Sequence, residues 1–303
     1  MRFPEPLAPG DRVVVVAPSS PFDPADLERG IAWLRERYEV VVDDGILARA
    51  GYLAGDDARR GAELAQAMRD TRARAIVAAR GGYGAMRILE GLPWEAWAQR
   101  PSWLVGFSDI TALHLVANRR GIATVHGPHV TGLGRGEHPA VRETWLSVLE
   151  GPRAARAWEG LTVVHAGPAA QGPIVGGNLA LVDAMAAAGH DAVPAGAVLA
   201  LEDVTERPYR IDRMLTSLRL AGILDKAKAV IFGTCSQCGP GNNNYGALTL
   251  EEILADHVKS LGVPAWQGAM IGHDQPQWTI PFGLDVDIDA AACTITMAEP
   301  GVL

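Results

Sequence analysis

The chain has 303 residues, 48% of them hydrophobic and 20% charged, with a formal net charge of -8. This composition describes a folded globular protein of two domains or one large α/β unit, and it excludes disorder as the main content. The 27 Lys and Arg residues are scattered and outnumbered by 35 Asp and Glu, so there is no basic face for a phosphate backbone and no expectation of a nucleic-acid partner.

Val13 to Ala17 is a β-branched run closed by Pro18-Ser19-Ser20, and Leu27, Ile31 and Leu34 then recur at helical spacing between Pro24 and Tyr38. Glu39 to Val42 reads as a second strand, Arg59 to Asp70 as a helix, and Ala75 to Ala79 as a third strand ending in Arg80-Gly81-Gly82-Tyr83-Gly84. A helical pattern resumes over Ala85 to Leu89. Ser102 to Val105 is a fourth apolar run, followed by Gly106-Phe107-Ser108-Asp109 and then by Ile110, Leu113, Val116 and Ala117 at helical spacing. Strands alternating with helices in this way predict an α/β fold with a mostly parallel sheet and flanking helices. Ala123 to Val125 is a further strand.

From 133 to 172 the periodicity fades, apart from a helix-like segment over Val141 to Leu149, and this stretch is expected to link domains 1–132 and 173–303. In the second domain Asn178 is placed to cap a helix running to Ala188. Val198 to Leu201 is a buried strand ending on Glu202-Asp203, and Tyr209 to Leu220 is an amphipathic helix. Ala229 to Gly233 is a strand, Asn242 to Gly246 a polar loop, Leu250 to Leu261 a helix, and Leu284 to Ile288 with Cys293 to Met297 a hairpin.

Ser108 falls where a strand meets a helix, a turn that exposes a hydroxyl at the carboxyl edge of a sheet beside unpaired helix N–H groups. Nucleophile and helix cap are both open readings there, since Ile110 stands where the hydrolase elbow G-x-S-x-G has its second glycine. The glycines at 81, 82 and 84 lie at the same kind of edge, where ligands bind open α/β sheets, and they lack the spacing of either nucleotide-binding motif. His126 and His129 are spaced as ligands, but Pro128 breaks a helix between them, so a structural turn is expected. Cys235-Ser236-Gln237-Cys238 has neither a second pair nor a thioredoxin-like context and is expected to be incidental. Three cysteines suit a reducing compartment. With no export signal after Met1 and no run of 18 apolar residues, a cytoplasmic protein without a membrane span is expected. His273, in a loop bounded by Gly272 and Pro276, is the best-placed base.

These motifs together resemble the LD-carboxypeptidases of peptidoglycan recycling, a family that also contains the microcin C immunity peptidases. The residues that carry the likeness are Gly81 to Gly84, Gly106 to Asp109, Glu202-Asp203 with Pro208 to Leu215, and Gly272-His273 with Pro281-Phe282-Gly283. The resemblance implies an N-terminal α/β domain, a C-terminal α/β domain with the active site between them, and a homodimer. It implies a triad of Ser108, Glu202 and His273, an oxyanion hole at the N–H groups of Gly82 and Asp109, and neither metal nor cofactor. Neighbouring residues on a strand point to opposite faces, so only one of Glu202 and Asp203 can aim at His273, and the resemblance selects Glu202. The implied reaction releases D-alanine from a muropeptide tetrapeptide; holding its terminal carboxylate calls for a guanidinium, for which Arg80 is the candidate, whereas a nucleotide-like leaving group calls for an aromatic platform, for which Trp278 is the candidate beside plain packing in its Pro-rich loop. Cleavage of aminoacyl-nucleotide amides and non-catalytic binding are the alternatives. The chain departs from the family pattern in 133–172 and around Cys235 to Cys238, which leaves the substrate the most open.

Overall fold

Continuous apolar runs become parallel strands because both faces of such a sheet are covered by helices. The computed structural model describes residues 1–136, 138–152, 154, 157–239, 248–289 and 291–297, so the loop expected over Asn242 to Gly246 lies outside the described residues. Packing divides the chain into two units, Met1–Pro152 with Trp278–Pro281, and Arg153–Gln277 with Phe282–Leu303.

The first unit runs β1 (Arg12–Val16), α1 (Pro24–Arg35), β2 (Glu39–Val42), α2 (Asp57–Arg69), β3 (Ala73–Ala78), α3 (Trp94–Trp97), β4 (Trp103–Gly106), α4 (Thr111–Arg119), β5 (Thr124–His126), α5 (Val130–Arg135) and α6 (Pro139–Glu150). The segment expected as a helix over Ala85 to Leu89 is a 3₁₀ turn, Ala85–Gly91. Strands β2, β1, β3, β4 and β5 pair in parallel in that spatial order. The chain turns outward from β1 to β2 and then resumes on the other side with β3. The loops after β1 and β3 therefore diverge at a topological switch point, where open α/β sheets take their ligands.

The second unit contains β6 (Ala157–Trp158), β7 (Thr162–His165), β8 (Ala170–Asn178), α7 (Leu179–Ala187), β9 (Ala197–Val204), α8 (Pro208–Leu220), β10 (Ala227–Ser236), α9 (Leu250–Leu261) and β11 (Ala265–Ala269). The chain then passes through β12 (Ile280–Phe282), which joins the first sheet beside β5, and closes with the hairpin β13 (Asp285–Asp289) and β14 (Thr294–Met297). Strands β8 to β11 are parallel, and β7 and β13 pair antiparallel at either end of that run.

The stretch 133–172 differs from the expected linker. Its first part completes α5 and forms α6, whose Trp145 is fully buried and meets Trp33 edge-on at 5.8 Å. Its last part supplies β6, β7 and the start of β8. The helical pattern was the legible portion, whereas a two-residue strand and a short edge strand with exposed positions such as Val163 leave little periodicity to read.

Two glycines fix how closely α1 and α5 approach. A Cβ at Gly30 would collide with the Val130 carbonyl, and one at Gly134 with the Asp26 carbonyl. Helix propensity alone favours alanine over glycine by about 1 kcal/mol. Backbone overlap outweighs it, so Gly134→Ala is expected to destabilise the protein by about 1–3 kcal/mol. Urea unfolding measures this directly, and an unchanged or raised midpoint contradicts the packing argument.

Candidate active site

After β4 the backbone extends through Phe107 and then enters the left-handed region at Ser108, with φ of 60°. A non-glycine residue there is held at a cost of about 1–2 kcal/mol by its surroundings. Ser108 begins a 3₁₀ turn, Ser108–Ile110, that leads into α4. The turn is tight because Gly106 has no side chain: a Cβ there would lie 2.9 Å from Ile110 Cγ1. Ile110 thus packs over the glycine that precedes the serine.

Buried histidines brace this turn. The His129 ring stacks on Phe107 with centroids 4.3 Å apart, and its Nε2 lies 2.9 Å from the Phe107 carbonyl oxygen. His114 Nε2 lies 2.8 Å from the Gly106 carbonyl oxygen, and burial pushes its pKa down to about 3, so the ring is neutral and donates there. His126 is buried in β5 with its ring edge toward Phe107. The H-x-x-H pair is part of the wall behind the serine, and among the described residues no group of three His, Cys, Asp or Glu could hold a metal ion.

The loop after β3 lies directly against Ser108. A Cβ at Gly81 would stand 2.9 Å from Ser108 Cβ and 3.1 Å from the Phe107 oxygen, and a Cβ at Gly82, whose φ is 108°, would stand 2.5 Å from Ser20 Oγ. Ser20 accepts from the Tyr83 N–H at 3.0 Å and donates its own N–H to the Gly81 carbonyl at 3.2 Å. Arg80 is exposed and donates from Nη1 to the Pro21 carbonyl at 2.6 Å, tying together the loops that follow β1 and β3. Trp278 is half-buried, just ahead of β12.

In the second unit, Glu202 lies near the carboxyl end of β9 with its side chain fully buried, and His273 follows β11. His273 Nδ1 is 3.0 Å from Glu202 Oε2, and Asn178 Nδ2 donates to Glu202 Oε1 at 3.3 Å. Two glycines admit the carboxylate. A Cβ at Gly233 would be 2.9 Å from Glu202 Cβ, and one at Gly272 would be 2.5 Å from the Thr234 carbonyl oxygen and 3.2 Å from Glu202 Oε2. Asp203 turns to other work: it accepts from the Ala180 N–H at 3.0 Å in the first turn of α7 and from Asn178 Nδ2 at 3.1 Å. Of the predicted residues, Glu202 and His273 are in contact within this unit, while Ser108, Gly82, Asp109 and Arg80 cluster in the first. Sequence reasoning missed Ser20, His129 and the double role of Asn178, which also caps α7 as expected. Only the polar character of these residues beside strand ends marked them. Cys235 pairs in register with Asp203 and is a free, half-buried thiol, held above the ordinary range by its hydrogen bond with Cys238 and by desolvation.

Residues 13–127 match the LD-carboxypeptidase N-terminal domain, and residues 171–288 match the LD-carboxypeptidase C-terminal domain. A putative carboxypeptidase of Streptomyces coelicolor is 40% identical over 98% of this chain and 96% of its own. The murein tetrapeptide carboxypeptidase of Pseudomonas aeruginosa is 32% identical over 90% of this chain and 91% of its own. In fold, the chain is similar to the microcin C7 self-immunity protein, with a TM-score of 0.89 over 99% of both chains at 20% identity.

Asp203 gives the site a measurable pH signature. Burial raises its pKa from 3.8 to about 6, against the bonds from Val204, Asn178 and Ala180. The folded state therefore binds this proton more tightly than the unfolded chain, so the stability it contributes is present at low pH and lost as pH rises through about 6. Between pH 4.5 and pH 7 the wild-type protein is expected to lose about 2 kcal/mol relative to Asp203→Asn. Urea unfolding of both at the two pH values gives that difference, and parallel curves contradict it.

Proposed function

Because the chain belongs to the LD-carboxypeptidase family, it is a serine-type hydrolase of peptide bonds, and we propose that it releases terminal D-alanine from the L-Ala-D-Glu-diaminopimelate-D-Ala tetrapeptide in peptidoglycan recycling. The observation that carries the reading is the His273 imidazole bonded through Nδ1 to a carboxylate buried inside its own unit. With Nδ1–H donated to Glu202, the tautomer places the ring lone pair on Nε2, as a general base requires.

Ser108 Oγ attacks the carbonyl carbon of the bond after the L-centre of diaminopimelate while its proton passes to His273 Nε2. The N–H groups of Gly82 and Asp109 hold the tetrahedral oxyanion, and His273 returns the proton to the departing amine of D-alanine. Water, deprotonated by the same imidazole, then releases the acyl group. Glu202 keeps the tautomer and stabilises the imidazolium. Arg80 takes the terminal carboxylate, and Trp278 is the platform on which the alternative, nucleotide-like leaving group would stack. The cycle uses neither metal nor cofactor, and the family resemblance carries a homodimeric, cytoplasmic enzyme; no helix among the described residues is long and apolar enough to cross a membrane.

Ser108→Ala is expected to lower the rate by about 10³-fold or more and Glu202→Gln by about 10³-fold, whereas Asp203→Asn, which leaves the histidine's partner in place, stays within about tenfold. The reverse order for the two carboxylates moves the orienting role to Asp203. Incubation with the tetrapeptide and, separately, with aspartyl sulfamoyl adenosine, followed by mass spectrometry, tests the substrate. Cleavage of the adenosine compound alone assigns the protein to the immunity branch, and turnover of neither with no fluorophosphonate labelling makes it a binding protein.

A further inference from the structure

We propose that the Asp109 side chain, in addition to its backbone N–H, is a positioning residue: its buried carboxylate fastens the loops after β1 and β3 to the serine turn. This rests on the reading of Ser108 as nucleophile. Asp109 Oδ2 accepts from Ser19 Oγ at 2.6 Å and from the Ala85 N–H at 2.8 Å. Ser19 belongs to the loop after β1, and Gly84 and Ala85 to the end of the glycine loop after β3. A single oxygen thus joins three segments that meet at the switch point of the sheet.

Arg60, on α2 and fully buried, holds the same loops from the other side. Its Nη1 donates to the carbonyls of Pro18 and Gly84, the latter at 2.9 Å, and its Nη2 pairs with Asp57. Gly84 is therefore gripped through the peptide that follows it, whose carbonyl accepts from Arg60 and whose N–H, that of Ala85, donates to Asp109. Its φ is 132°, and a Cβ there would lie 2.7 Å from Arg60 Nη1, so the position has no room for a side chain. Ser20 grips Gly81 and Tyr83. Gly82, the donor assigned to the oxyanion, is the one residue of the loop flanked on both sides by these clamps.

A buried carboxylate costs stability unless its bonds compensate, and an apolar residue fills core space at lower cost. Of the bonds to Asp109, the one from Ala85 holds the end of the loop that carries Gly82, and the one from Ser19 holds the loop after β1, which Ser20 ties to Gly81 and Tyr83. Burial raises its pKa, while the donors Ser19 and Ala85 and the charge of Arg60 oppose that rise. A displaced oxyanion donor lowers kcat more than it alters KM, because the bond it makes strengthens only as the oxyanion forms.

Asp109→Ala removes the acceptor, Asp109→Asn retains one oxygen able to accept from both Ser19 and Ala85, and Ser19→Ala removes one donor. With active sites titrated to completion by a fluorophosphonate, kcat per titrated site for tetrapeptide turnover is expected to fall about 10²-fold in Asp109→Ala with KM within threefold. Asp109→Asn is expected to recover about tenfold of that loss, and Ser19→Ala to fall about tenfold. An unchanged kcat per titrated site in these variants, with only the melting temperature or the titrated fraction reduced, overturns the inference. If Asp109→Ala does not fold, Ser19→Ala and Asp109→Asn decide it by the same ratio. A wild-type protein that turns over no substrate, or a Ser108→Ala variant that remains active, instead refutes the nucleophile assignment and the inference with it.

Discussion

The serine at φ of 60° between a buried strand and a helix is the constraint from which the first unit's other peculiarities follow. A conformation that a side chain rarely adopts persists only where neighbours over-determine it. Gly106 lets Ile110 close over the strand end, the His129 ring covers Phe107, and the His114 imidazole donates to the Gly106 carbonyl. Each of these acts on the residues immediately before Ser108, so the turn is fixed from its strand side. On its helix side the buried Asp109 carboxylate supplies the corresponding anchor.

The second unit meets a different demand. A carboxylate with no solvent exposure loses its hydration, and hydrogen bonds inside the protein must take the place of that water. Glu202 is therefore given donors on both oxygens, from His273 and from Asn178. The backbone around it has been thinned to glycine at 233 and 272, which sets the carboxylate beside two neighbouring segments at once. Asp203, one residue later, turns instead to the Ala180 N–H at the start of α7. Strand alternation separates the two acids, and the helix end gives the second one its own task.

Much of this was legible in the sequence because it depends on local pattern. The β-branched runs at 13–16 and 39–42, the helix over 250–261 and the final hairpin follow from periodicity and turn residues alone. Strands β6 and β7 escape such reading because they are short with exposed positions, β11 because Gln267-Gly268 interrupts its apolar run, and β12 because it carries a proline between Ile280 and Phe282. The same limit applies at the site. Ser108 and His273 stand out through the glycines and prolines that bound their loops. Ser19, Ser20 and His129 have roles defined by partners between 22 and 90 positions away, which no local spacing encodes.

Substrate recognition is the least legible part for a related reason: it is assigned to exposed side chains, whose surroundings constrain them least. Arg80 illustrates the point. Under the proposed function it must hold a terminal carboxylate, yet its Nη1 already donates to the Pro21 carbonyl. A guanidinium carries five N–H donors in a fixed planar fork, so one bond to the backbone orients the fork without exhausting it. The anchor at Pro21 thereby reduces the rotamer freedom that Arg80 would lose on binding an anion, as pre-organisation of a binding group requires. Arg80 is also one residue from Gly81, whose backbone lies against Ser108, so a carboxylate held there would be held on the same loop as the proposed oxyanion donor Gly82.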